Sequence, residues 1–263
     1  MIHSTALIDR TAHLGRDVNI GPYAIVEADT VLGDGCEVQA HAIVCRGTVI
    51  GSRNFIGYGA VLGAEPQDFT FKGAPSRVEI GANNRIREYV TIHRATQEGG
   101  ATRVGDHNFI MGGVHLAHDV RVGDHTILAN NTLLAGHVQV GDRAFLGGAT
   151  IVHQHVRIGP LVITRGGTRL GKDVPPYLMA VATNQVAGIN RLGLRRAGLP
   201  HETRRTIQAA YELIYRTQLN ISQALAELRV KFHQPEIVAL IDFIAESKRG
   251  ICLERKSHEE EEE

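Results

Sequence analysis

Residues 115–119 read His-Leu-Ala-His-Asp and set an imidazole beside a carboxylate. That pairing suits general-base chemistry. Histidine, with a reference pKa near ~6.5, accepts a proton at neutral pH, and an adjacent carboxylate favours the cation that results. Steps of 18 residues from His118 reach Gly136 and Gln154, and the same steps from Asp119 reach His137 and His155. If such residues are neighbours in space, three imidazoles, a carboxylate and an amide share one edge. Glycine then opens room beside His118 and lets backbone approach an oxyanion. Zinc is a competing use of His115, His118 and His137, because three imidazoles and an open position make a catalytic site; His115, however, faces away from the edge the other two share. The third possibility is a solvated polar edge without chemistry.

The step of 18 comes from a period of six. Aliphatic residues recur at every sixth position from Ile2 to Leu62, resume at Ile80, Ile86 and Ile92, and run again from Val104 to Ile158. Thr164 interrupts the series before Leu170 closes it. Four residues after each aliphatic stands a small or β-branched residue such as Ala24, Cys36 or Ala42. A six-residue period fits neither a helix nor a plain alternating strand, but it fits short strands separated by bends. Three hexads make one triangular coil, and coils stacked about 4.8 Å apart bring residues 18 apart into register. His118 and Asp119 then occupy a corner of the triangle, outside its core.

The spacing predicts a β-helix over residues 1–176, with loops leaving it near 64–79 and 97–103. Residues 177–255 read as a helical domain with helices starting near Pro200 and Pro235, and 256–263 as a disordered acidic tail. Lysine plus arginine equals aspartate plus glutamate at 28 each, so no global field draws nucleic acid or an anionic membrane. Residues 190–196 form the one compact basic cluster after the repeats, suited to a diphosphate or to a solvated helix face. Three scattered cysteines, no basic apolar leader and no long apolar run point to the cytoplasm and to a chain without an integral membrane segment.

The chain resembles the UDP-N-acetylglucosamine O-acyltransferases, the enzymes that begin lipid A biosynthesis. The marks are Pro66-Gln67-Asp68, the runs at 77–81 and 84–94, residues 115–119, 127–131 and 134–138, His153-Gln154, and Asp173-Val174-Pro175-Pro176-Tyr177. The resemblance implies a left-handed parallel β-helix with C-terminal helices, and transfer of a 3-hydroxyacyl chain from acyl carrier protein to the glucosamine 3-position or its 3-amino analogue. It implies His118 as general base, Asp119 as its orienting carboxylate and the Gly136 amide as oxyanion donor. Asp68, His93, His115, His137, His153, Gln154, Asn190 and Arg196 would contact substrate, and Gly166 would set acyl length. A homotrimer with sites between subunits is implied, and no metal or bound cofactor, since the donor carries its own phosphopantetheine. Thr70 stands where relatives commonly have lysine, Leu192 where they have glutamate, and Ala197 where some have arginine. A coenzyme A-dependent sugar-nucleotide acetyltransferase, the later N-acyltransferase of the same pathway, a β-helical carbonic anhydrase and a non-catalytic scaffold are the rival readings.

Overall fold

A strand of two residues ends at almost every ladder aliphatic, and each coil repeats the one before it. The computed structural model describes residues 1–255, so the acidic run at 256–263 lies outside the described residues. The strands form three parallel sheets. Face one carries Leu116, Leu134 and Val152 in register, face two carries Val122, Val140 and Ile158, and face three carries Ile110, Leu128 and Leu146. The fold is a left-handed parallel β-helix closed by C-terminal helices, as the repeats and the resemblance implied.

The ladder residues fill the prism. Leu116, Leu128, Leu134 and Leu146 are fully buried, as are Val120, Val138 and Val156 at the small inward place of their hexads. Thr164, the lapse in the ladder, is buried as well. Its hydroxyl accepts from the Gly147 amide at 2.9 Å and pairs with the Thr150 hydroxyl at 2.8 Å, so a polar atom enters the core with partners.

Each corner turns through one residue in the left-handed backbone region. Asp119, His137 and His155 have φ of 62°, 63° and 62°, and Asp17, His107, His125 and Asn131 do the same in their coils. Asn, Asp and His tolerate that region better than most side-chain-bearing residues do.

The two loops leave the prism at one corner. An uninterrupted side takes six residues, but Leu62 on face one is 18 from Ile80 on face two, and Ile92 is 12 from Val104. The insertions therefore add whole hexads between the same two faces, in the two coils preceding His118. They are shorter than the sequence suggested, because Arg77–Ile80 and Ala101–Val104 pair along four residues outside the plain repeat.

Beyond the prism the chain does not become helical at once. Leu178–Val181 continues face three beside Ile163–Thr164, and Gln185–Ile189 turns back antiparallel to it. Helices α1 (Arg191–Arg196), α2 (His201–Tyr215), α3 (Ile221–Lys231) and α4 (Pro235–Ala245) follow, and Leu253–Glu254 returns to the hairpin. Pro200 is the N-cap of α2 and Pro235 opens α4, where a missing N–H costs nothing. Arg157 ties the last coil to the end of α4 through buried Asp173 at 3.3 Å and Glu246 at 3.2 Å. Among the described residues no helix is long and apolar enough to cross a membrane.

Leu134 points inward, whereas its neighbour Leu133 points out and is 40% exposed. Leu134→Ala should cost about 2–5 kcal/mol in urea unfolding, and Leu133→Ala within about 0.5 kcal/mol of nothing. Equal losses would contradict the inward and outward register.

Candidate active site

The corner between faces one and two gathers His118, Asp119, His137 and, from the first loop, Asp68. His118 and Asp119 are adjacent turn residues, so the backbone itself sets imidazole beside carboxylate. His118 Nδ1 lies 2.9 Å from Asp119 Oδ2. The Thr96 amide and hydroxyl, from the second loop, donate to that same oxygen at 3.1 and 2.8 Å. Burial pushes the Asp119 carboxyl up, but the hydrogen bonds from His118 and Thr96 outweigh it and hold the group below the usual carboxylate range. An ionised Asp119 only accepts, so Nδ1 carries the imidazole proton and Nε2 keeps its lone pair.

Nε2 faces the first loop, with Asp68 Oδ2 at 3.8 Å. Thr70, the departure noted in the sequence, gives Asp68 both its amide and its hydroxyl at 2.7 Å. Those two bonds lower the Asp68 carboxyl and lock it in a tight turn. Arg94 braces the loop by pairing with Glu65 at 2.9 Å and lying over the Phe71 ring.

Gly136 serves His118 through what it lacks. A Cβ there would lie 2.6 Å from His118 Nε2 and closer still to the ring carbon between the nitrogens, so only glycine leaves the imidazole where it is. The Gly136 N–H has no acceptor among the described residues. On the corner between faces two and three, by contrast, the equivalent amides of Asp106 and Asp124 are capped by Asp124 and Asp142 of the next coil, at 2.7 and 2.9 Å. The corner of His118 thus keeps a free donor one coil from the imidazole.

His137 meets the His118 ring edge to face at 5.2 Å between centroids and stacks on His155 at 4.5 Å. Burial holds the His137 imidazolium below its usual range, against the pull of Asp119. Among the described residues, His118, Asp119 and His137 are the one trio whose ligand atoms come within 4.8 Å of each other. His115 is not part of it; it stands on face one, with Nδ1 2.8 Å from the Thr91 hydroxyl and its ring against His93. The three-histidine zinc set considered from the sequence is therefore not assembled. The assembled trio suits a cation poorly, since Asp119 Oδ2 already accepts three hydrogen bonds.

His153 and Gln154 are both exposed two coils further along the same corner. Asn190 and Arg196 lie elsewhere. Asn190 caps α1, accepting from the Gly193 amide at 2.9 Å and donating to the Leu161 carbonyl at 2.8 Å, both beside the corner of faces two and three. Arg196 is exposed in the last turn of α1. Gly166 sits on the third corner, between faces three and one, where a Cβ would find the Gly148 carbonyl at 3.3 Å and little else. Thr96 and Thr102, whose hydroxyl accepts the Asp119 amide at 2.8 Å, were not singled out in the sequence. The signal was the length of the insertions, which returns both loops to this corner.

Known proteins supply the comparison. Residues 173–252 match the family described as UDP N-acetylglucosamine O-acyltransferase, domain 2, and residues 11–46 and 101–136 match bacterial transferase hexapeptide repeats. An acyl-[acyl-carrier-protein]–UDP-N-acetylglucosamine O-acyltransferase from Thermodesulfovibrio yellowstonii is 43% identical over 254 residues, which span 95% of this chain and 98% of that protein. Among solved structures, a UDP-N-acetylglucosamine acyltransferase from Bacteroides fragilis superposes with a TM-score of 0.92 at 42% identity, over 95% of this chain and 99% of its own. One from Arabidopsis gives 0.86 at 34% identity, over 96% and 100%.

Thr96→Val removes one of the three donors on Asp119 Oδ2 and frees the carboxylate to turn from His118. Turnover should fall about 10- to 100-fold, with the KM of the nucleotide sugar little changed, and Thr96→Ser should restore it. A Thr96→Val protein with normal turnover would show that His118 and Asp119 hold each other without the loop.

Proposed function

The chain belongs to the UDP-N-acetylglucosamine O-acyltransferases, and from that membership we propose that the corner of His118 is where it moves a 3-hydroxyacyl chain from acyl carrier protein to the 3-hydroxyl of UDP-N-acetylglucosamine, the first step of lipid A biosynthesis. The observation that carries this reading is an imidazole oriented by an ionised carboxylate, with its free Nε2 one coil from an uncapped amide.

His118 Nε2 takes the hydroxyl proton as the sugar oxygen attacks the thioester carbon. Asp119 stabilises the imidazolium that forms. The oxyanion of the tetrahedral intermediate accepts from the Gly136 N–H, whose position costs no reorganisation during the reaction. Collapse breaks the carbon–sulfur bond, and the departing thiolate takes the proton back from the imidazolium. Asp68, His137, His153 and Gln154 line the approach for sugar and donor, and His93 and His115 extend it along face one. An amine at the sugar 3-position would meet the same base and the same amide.

One chain holds the base, Gly166 and the Asn190–Arg196 segment at three different corners. For all of them to meet one substrate, different chains must contribute, and a closed threefold ring that sets one prism's corner against its neighbour is the simplest arrangement. On this reading Asn190 and Arg196 act on a neighbour's nucleotide, Gly166 borders a neighbour's acyl chain, and the assembly works in the cytoplasm with acyl carrier protein as partner. No metal or bound cofactor takes part; the three hydrogen bonds to Asp119 Oδ2 support that.

His118→Ala should lose about 10²–10⁴-fold in turnover while nucleotide-sugar binding changes far less, and Asp119→Asn should lose less. Near-normal turnover in folded His118→Ala would move the base to His137. Gly166→Met, at a site open to a side chain, should shift preference to shorter acyl donors in a competition between chain lengths; an unchanged preference would remove Gly166 from that role. Turnover after exhaustive EDTA dialysis should match the untreated protein, and a loss restored by zinc would revive the metal reading.

A further inference from the structure

The catalytic corner continues toward the C-terminal end of the prism into a second cleft of about 820 Å³, whose walls include His137, His155, Arg157, Lys248 and Arg249. His137 belongs to both spaces, and its ring stacks on His155. The charges of the cleft are unequally committed. Arg157 is taken up by Asp173, Glu246 and the Phe243 carbonyl, so its one charge is spent against two carboxylates. Lys248 is exposed and makes no hydrogen bond or ion pair among the described residues. Arg249 donates Nε–H to the Gly171 carbonyl at 2.9 Å, which fixes its guanidinium, while its outer N–H groups have no partner among the described residues.

Gly171 fixes the height of these cations. It lies 54 residues, three coils, beyond Ala117, so Arg249 is held about 14 Å along the corner from the level of His118. We propose that Lys248 and Arg249 bind the phosphodiester of the donor's phosphopantetheine arm. This rests on the reading that the thioester reacts at His118. From sulfur to phosphorus the arm runs about 13 bonds, a little over four residues of backbone, and reaches roughly 14–15 Å when extended. The acceptor's diphosphate is nearer its reacting oxygen, about seven bonds to the farther phosphorus, or roughly 8 Å. Cations at the third coil therefore stand at arm's length for the donor and past the reach of the acceptor. Arg157, Lys248 and Arg249 exceed Asp173 and Glu246 by one positive charge, and with Arg157 held by the carboxylates the surplus falls on Lys248 and Arg249, which suits a single phosphodiester charge.

The test compares two donors on the full chain: acyl-phosphopantetheine, and acyl-pantetheine, the same arm without its phosphate. The protein should favour the phosphorylated donor in kcat/KM by about tenfold or more, and Lys248→Ala with Arg249→Ala should bring the ratio close to one. Lys248→Ala alone removes an exposed side chain without partners, so it should fold and lower the ratio part of the way, and Lys248→Arg should recover it. No preference in the parent protein, or an undiminished ratio in the double variant, overturns the proposal. So does a loss seen only in the KM of UDP-N-acetylglucosamine, which would give the cleft to the acceptor. Retained turnover in His118→Ala would instead overturn the base and leave the donor ratio to report on the cleft by itself.

Discussion

Closing a triangle with six residues to a side requires left-handed backbone at each corner, and this constraint governs what every other residue in the prism can do. An L residue in that region costs about 1–2 kcal/mol, offset by the inward aliphatics on either side, each worth about 1.5–3 kcal/mol when buried. The bend also throws corner side chains outward and stacks them coil on coil. Asp119, His137 and His155, all left-handed, form one such column, and His118, Gly136 and Gln154 form the column beside it. The proposed catalytic set is adjacent because the backbone has no other way to turn.

The three corners solve the same hydrogen-bonding problem differently. Each turn leaves an amide without a strand partner. Between faces two and three, aspartates such as Asp124 and Asp142 reach back and cap it, which seals that corner. Between faces one and two, glycine at 136 has no side chain to reach back with, so the coil of His118 is not sealed. Both loops emerge there, and they bring Asp68 and Thr96 to the imidazole and its carboxylate from a side the prism cannot supply. The capped corner uses its amides within the prism, whereas the coil of His118 leaves a donor and an imidazole side by side under the loops, as the proposed chemistry requires.

Much of this was legible in the sequence. The ladder, its inward small residues and the column from His118 to Gln154 follow from steps of six and 18, because a solenoid turns sequence separation into distance. Asp68 was found only by resemblance, and Thr96 not at all, since a loop residue's position does not follow from the repeat. The insertion lengths still carried information: multiples of six return the chain to the corner it left. The hairpin at 178–189 was read as part of a helical region, because strands this short, lacking hexad spacing, carry no period to distinguish them. Asn190 illustrates the limit of carrying a role across a family, for in the single chain both ends of its amide are occupied.

Stability and chemistry are therefore separated by direction. Inward positions repeat so regularly that each coil supports the next. Outward positions, the proposed site among them, contribute little to the core, so they can change without unfolding the prism. Thr70 in place of the family's lysine, which still anchors Asp68 through two hydrogen bonds, is a case in point. Gly136 is the exception, because the His118 ring fills the space its side chain would take. A bulky residue there leaves the ladder intact yet displaces the His118 imidazole, so at position 136 packing and the proposed chemistry depend on the same few ångströms.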